Sequence, residues 1–153
     1  MENWESVVNL KEPLSAGNIN DKLANVYSFI GVIDMHDLNK IVFHEQPIYF
    51  VTYHNDHWIA VCMTNKRLEI MDSTHSAFES PPHAFLIFLC QNKDKKVQIN
   101  PLLQSSETNV CGLYCIFFVL QRSSGKTFNE ILENFTDNYV LNDYIVSKLT
   151  VSI

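Results

Sequence analysis

The stretch Pro47-Ile-Tyr-Phe-Val-Thr-Tyr53, His54-Asn-Asp56, His57-Trp-Ile-Ala-Val-Cys-Met-Thr64, Asn65-Lys66, Arg67-Leu-Glu-Ile-Met-Asp72 decides the fold. Three segments rich in β-branched and aromatic residues alternate with short polar turns, which predicts three consecutive antiparallel strands. With Asn65 and Lys66 as the second turn, Thr64 faces Arg67, Met63 faces Leu68 and Ile59 faces Asp72. A four-residue loop from Thr64 to Arg67 gives the same register. Side chains alternate along a strand, so His57, Ile59 and Asp72 share one face, with His57 diagonal to Asp72. Diagonal neighbours lie roughly 7–8 Å apart, within reach of an imidazole–carboxylate hydrogen bond.

Such a pair serves a nucleophile, and the chain offers one downstream. In Gln104-Ser-Ser-Glu-Thr-Asn-Val-Cys111-Gly-Leu-Tyr-Cys-Ile-Phe-Phe-Val-Leu120 a polar loop runs straight into an apolar helix, and Cys111 stands at the junction. The free N–H groups of a first helical turn favour negative charge on that sulfur. Gly112 leaves space beside it for a substrate backbone. His57 is the expected base and Asp72 the carboxylate that fixes its tautomer. The Gln104 amide can donate to a developing oxyanion alongside the Cys111 backbone N–H. Trp58 either walls the substrate cleft or fills the core.

The other histidines, His36, His44, His54, His75 and His83, fall in predicted loops or at a helix start, without a comparable partner. No cysteine or acid completes ligand spacing around His54 and His57, so no metal is expected. Cys62, Cys90 and Cys115 read as packing residues in apolar runs.

Around this centre, Asn20 or Asp21 caps a predicted helix that runs to Ile30 and stops at Gly31. Residues 32–46 read as an exposed connection with about one helical turn. Ser80-Pro-Pro before His83–Leu89 reads as a capped helix with proline in its first turn. Lys96–Asn100 is a short strand, Thr127-Phe-Asn-Glu130 a capping box that opens a helix to about Phe135, and a last helix covers Val140–Leu149. The expectation is an α+β fold: a small, mainly antiparallel sheet flanked by helices, with the nucleophile at the N-terminus of a buried one.

The 153 residues fit one domain, with residues 1–18 polar and expected to be mobile in part. A net charge of −6 argues against a strong nucleic-acid binder, and the Lys93-Asp94-Lys95-Lys96 cluster reads as a solvated loop. No signal peptide or membrane-spanning run is expected, and the cysteines suggest a reducing, intracellular setting rather than secretion.

The order His57-Trp58, Asp72, Gln104, Cys111-Gly112 resembles the adenovirus maturation protease (adenain) family and its relatives, the Ulp-type SUMO proteases. The amide seven residues before the thiol, Val110 where Ulp-type enzymes usually carry Asp, and the run Cys111-Gly-Leu-Tyr-Cys-Ile-Phe-Phe are closer to adenain. So is Phe29-Ile-Gly-Val-Ile-Asp34 followed by Leu38. The resemblance spans roughly residues 25 to 122. It implies a monomeric α+β cysteine endopeptidase that processes virion precursor proteins near small or glycine residues. Catalysis would use His57, Asp72, Gln104 and Cys111, in the host nucleus or cytoplasm and in the virion. Adenovirus enzymes are stimulated by a viral peptide and by DNA. Neither is required by this sequence; Cys90 is the nearest candidate for a peptide-linking cysteine, and the acidic charge weakens the DNA expectation. The third catalytic position is Asp, where mammalian adenovirus enzymes carry Glu. The alternatives are a Ulp-like isopeptidase for ubiquitin or a ubiquitin-like modifier, and an inactive capsid- or scaffold-binding module.

Overall fold

The computed structural model describes residues 13–42 and 47–151. Much of the segment expected to be mobile in part, and His44 within the expected connection, lie outside the described residues. In chain order the elements are α1 (Ala16–Leu23), β1 (Phe29–Asp34), a 3-10 helix (Met35–Lys40), β2 (Ile48–His54), β3 (His57–Met63) and β4 (Arg67–Met71). There follow α2 (Ser76–Glu79), α3 (His83–Gln91), β5 (Lys96–Ile99), α4 (Cys111–Ser123), α5 (Phe128–Leu132) and α6 (Tyr139–Val151).

The five strands stand in sequence order, β1 to β5. The central β2–β3–β4 meander is antiparallel as expected, with Met63 opposite Leu68 and Ala60 opposite Met71. Its first turn, Asn55-Asp56, has φ values of 47° and 61°, the left-handed pair that lets a two-residue hairpin match strand twist. The two edge strands differ: β1 runs parallel to β2, and β5 parallel to β4. The 3-10 helix and α3 provide the crossovers that parallel pairing demands.

Alternation along β3 builds two cores. Trp58, Ala60 and Cys62 face α4 and join Ile19, Leu23, Tyr114, Phe118, Phe128 and Val146. Ile59, Val61 and Met63 face the other side and join Met35, Leu38, Phe85 and Phe88. Helix α4 is buried from Cys111 to Val119, enclosed by the sheet and by α1, α5 and α6. At its far end Arg122 Nε donates to Glu69 Oε1 at 2.7 Å, and Glu69 is 1% exposed. Arg122→Ala leaves that carboxylate buried without its main cation. Because Arg122 is itself partly solvated, the expected loss lies below the deep-interior range, at about 2–3 kcal/mol in urea unfolding.

Several sequence expectations are corrected. Helix α1 begins earlier, because Ser15 and Asn18 form a capping box, and it ends at Leu23. Residues 29–34 are strand, where a helix to Ile30 and then an exposed connection were expected, since their backbone pairs with β2; Tyr27 and Ile30 are exposed, and Met35 and Leu38 in the expected connection are buried. Ser80 does not cap α3: Pro82 is the N-cap, with no side-chain hydrogen bond. The Thr127–Glu130 capping box forms as expected, although α5 stops at Leu132. Among the described residues no helix is long and apolar enough to cross a membrane.

Candidate active site

Strand β3 opens on His57 and β4 runs into Asp72, so the hairpin register brings these side chains together. His57 Nε2–H donates to Asp72 Oδ1 at 2.5 Å, with Asp72 fully buried. Asp72 is itself fixed. Its Oδ2 accepts the Ala77 N–H at 3.0 Å, its own N–H donates to Asn100 Oδ1 at 2.7 Å, and Asn100 Nδ2 donates back to the Asp72 carbonyl at 3.0 Å. His75 donates from Nε2 to the Asn100 carbonyl at 2.5 Å, which gives that histidine a bracing position. The Thr74 hydroxyl lies 3.2 Å from His57 Nε2.

Cys111 is the first residue of α4 and is 3% exposed. The Trp58 backbone N–H donates to its Sγ at 3.4 Å, and the sulfur is near enough to the His57 imidazole to influence its protonation. With Nε2 turned to Asp72, Nδ1 is the ring nitrogen left for sulfur. Burial alone would pull the His57 imidazole down. The hydrogen bond with Asp72, and the influence of Cys111 beside the ring, instead raise it from 6.5 to about 9. The ring is therefore held protonated at neutral pH, beside a sulfur it can neutralise. By contrast, burial pushes the Cys62 thiol up to about 12 and Cys115 well above its ordinary value, as expected of packing thiols. Cys90, expected to pack, is exposed on α3.

The loop before α4 carries Gln104. Ser73 Oγ donates to Gln104 Oε1 at 2.6 Å, and Gln104 Nε2 donates to the Thr108 carbonyl at 3.1 Å. One of the two amide hydrogens is thus used internally and the other is left over. The N–H groups of Cys111 and Gly112, at the start of the helix, have no intrahelical acceptor. Together these are the donors an oxyanion would meet.

Trp58 is 5% exposed, packs against Tyr53 with ring centroids 4.6 Å apart, and donates from Nε1 to the Leu14 carbonyl at 2.9 Å. The close approach that Gly112 permits is made by the chain itself: an added Cβ would meet Leu14 at 3.2 Å and Trp58 at 3.3 Å. Outside the Tyr53 ring, His36, His54 and His83 line a cleft of about 250 Å³ with Asp34. Among the described residues no group of three or more His, Cys, Asp or Glu side chains is arranged to hold a metal ion.

Leu14, Thr74 and Ser73 escape a reading of the sequence. Ser73-Thr74 directly after Asp72 is the available signal for the latter two. Leu14 carries no local signal, since only the path of the chain brings it to Trp58.

No family model matches the sequence, and no curated protein sequence matches it. Among solved structures the chain is similar to the central domain of the uncharacterized Lpg1148 protein from Legionella pneumophila. The TM-score is 0.50 at 13% identity, over 94% of this chain and 100% of that one. It is also similar to the SUMO protease Ulp1 with its catalytic cysteine oxidised to a sulfenic acid, with a TM-score of 0.49 at 10% identity, over 99% of this chain and 82% of that one. At 13% identity the likeness to the Legionella domain is one of fold.

Proposed function

We propose that this chain is a cysteine endopeptidase that cuts virion precursor proteins beside small residues, glycine above all. One observation carries the reading: the His57 imidazole is hydrogen-bonded to the buried Asp72 carboxylate and feels the Cys111 thiol on the first turn of a buried helix.

The chemistry rests on those positions. The Cys111 thiolate attacks the scissile carbonyl carbon, and the carbonyl electron pair moves to oxygen, where the Cys111 N–H and the spare Gln104 hydrogen receive it. As the C–N bond breaks, the His57 imidazolium gives its proton to the departing amine. Neutral His57 then takes a proton from water, whose oxygen attacks the thioester. The acid is released and the thiolate returns. Asp72 keeps the ring in place and stabilises its charged form.

The preference for small residues rests on the adenain side of the resemblance. The adenain side of the resemblance is supported by the position of Gln104 and by Val110 before the thiol. Action in the host nucleus or cytoplasm and in the virion, as a monomer, belongs to the same reading. So does stimulation by a viral peptide; the net charge of −6 counts against DNA as activator. Action after the Gly-Gly tail of ubiquitin or a ubiquitin-like modifier is the second reading.

Both are tested together. The protein is incubated with adenovirus-type virion precursors, with and without DNA and activating peptide, and the cut sites are read by mass spectrometry. Cleavage beside glycine is the expected result. Uncut precursors, combined with rapid labelling of Cys111 by a ubiquitin-like modifier bearing a C-terminal vinyl group, would transfer the assignment to the isopeptidase.

A further inference from the structure

Asp143, on α6, is 1% exposed and takes no part in the chemistry above. Its two carboxylate oxygens serve different elements. Oδ2 accepts the Thr108 hydroxyl at 2.7 Å and the Ser105 N–H at 3.3 Å, both in the loop that carries Gln104. Oδ1 accepts the Tyr114 hydroxyl at 2.8 Å, from the helix that carries Cys111 and one turn beyond it. The adjacent Asn142 donates from Nδ2 to the Leu103 carbonyl at 3.1 Å, which fixes the start of the same loop.

Thr108 is the link to the reacting centre, because its carbonyl is the acceptor that holds Gln104 Nε2 at 3.1 Å. A shift of Thr108 therefore re-aims the amide. A buried carboxylate is costly to retain for packing alone, and an apolar residue would fill the position with less desolvation. A carboxylate can accept a hydroxyl and an N–H of the loop on one oxygen and a hydroxyl of the helix on the other, without asking any of the three to turn.

We propose, on the reading of Cys111 as nucleophile and Gln104 as oxyanion donor, that Asp143 is a positioning residue that sets the spacing between them. Through it the last helix of the chain controls oxyanion stabilisation, without touching substrate, His57 or Asp72.

The test separates thiol activation from oxyanion stabilisation. Alkylation of Cys111 by iodoacetamide at pH 7 depends on the imidazole–thiol pair and needs no oxyanion donor. Hydrolysis of acetylglycine p-nitrophenyl ester needs both. Asp143→Asn should slow ester hydrolysis by about 10- to 100-fold, chiefly in kcat, since misplacing one oxyanion donor costs on that order. Alkylation should stay within about threefold of the native rate, because the pair itself is untouched. In case Asp143→Asn does not fold, Thr108→Val removes only the loop hydroxyl and should give the same split, with Thr108→Ser restoring hydrolysis.

Variants that match the native protein in hydrolysis would overturn the positioning role alone. Variants that lose alkylation in step with hydrolysis would also overturn it, since Asp143 would then merely support the fold. A native protein that hydrolyses the ester no faster than Cys111→Ala would sink the nucleophile assignment, and this inference with it.

Discussion

Cys111→Ala will abolish cleavage, with kcat/KM falling on the order of 10⁴-fold or more, because the covalent intermediate forms on its sulfur. Cys115 is the nearest alternative thiol, one helical turn on, but it is fully buried and held well above its ordinary pKa by that burial. The variant should fold normally, as a small side chain replaces another of similar size at the start of α4. Urea unfolding with an unchanged midpoint, beside precursor cleavage reduced to background, is the result to look for. Retained turnover in a folded Cys111→Ala protein would refute the mechanism. A native protein as inert as the variant would favour a binding module built on a protease scaffold.

Asp72→Asn has the second largest expected effect, about 10³- to 10⁴-fold in kcat. In the native protein one carboxylate accepts two donors, the His57 Nε2–H and the Ala77 N–H. An amide can present oxygen to only one of them, so its NH₂ must face a donor or turn the imidazole into the wrong tautomer. Stability will report the same change. His57 is raised from 6.5 to about 9, so its protonation adds stability that is complete below pH 6.5 and disappears as pH climbs towards 9. The native unfolding free energy should therefore fall across that window. Without the carboxylate, burial acts on the imidazole with less opposition, and the slope should flatten. Urea titrations of both proteins between pH 6 and 9.5 measure it; parallel slopes would show that Asp72 does not raise His57.

The pairing of His57 with Asp72 is readable from sequence for a definite reason. A short hairpin converts spacing into register, and strand alternation converts register into a shared face, so only local geometry is needed. The placement of Cys111 is readable because a polar loop meets an apolar helix there. The start of strand β1 reads as the end of a helix, and the remainder as connection, for an equally physical reason. Leu23, Val26, Tyr27 and Ile30 fit a helical period, whereas the competing signal, parallel pairing with β2, lies some twenty residues away and leaves no local mark. The Leu14 contact and the Asp143 bridge are of the same kind. Each depends on chain segments that meet only after the sheet and α4 have packed.

The order of the strands in the sheet also has a bearing on timing. Because each strand neighbours the next one in the chain, the β2–β3–β4 meander closes through short loops and needs little of the chain beyond Asp72. A ribosome would thus deliver the His57–Asp72 pair early, Cys111 considerably later, and the helix bearing Asp143 after both, so the Gln104 loop and the Cys111 helix gain their shared carboxylate anchor only once the pair is already in place.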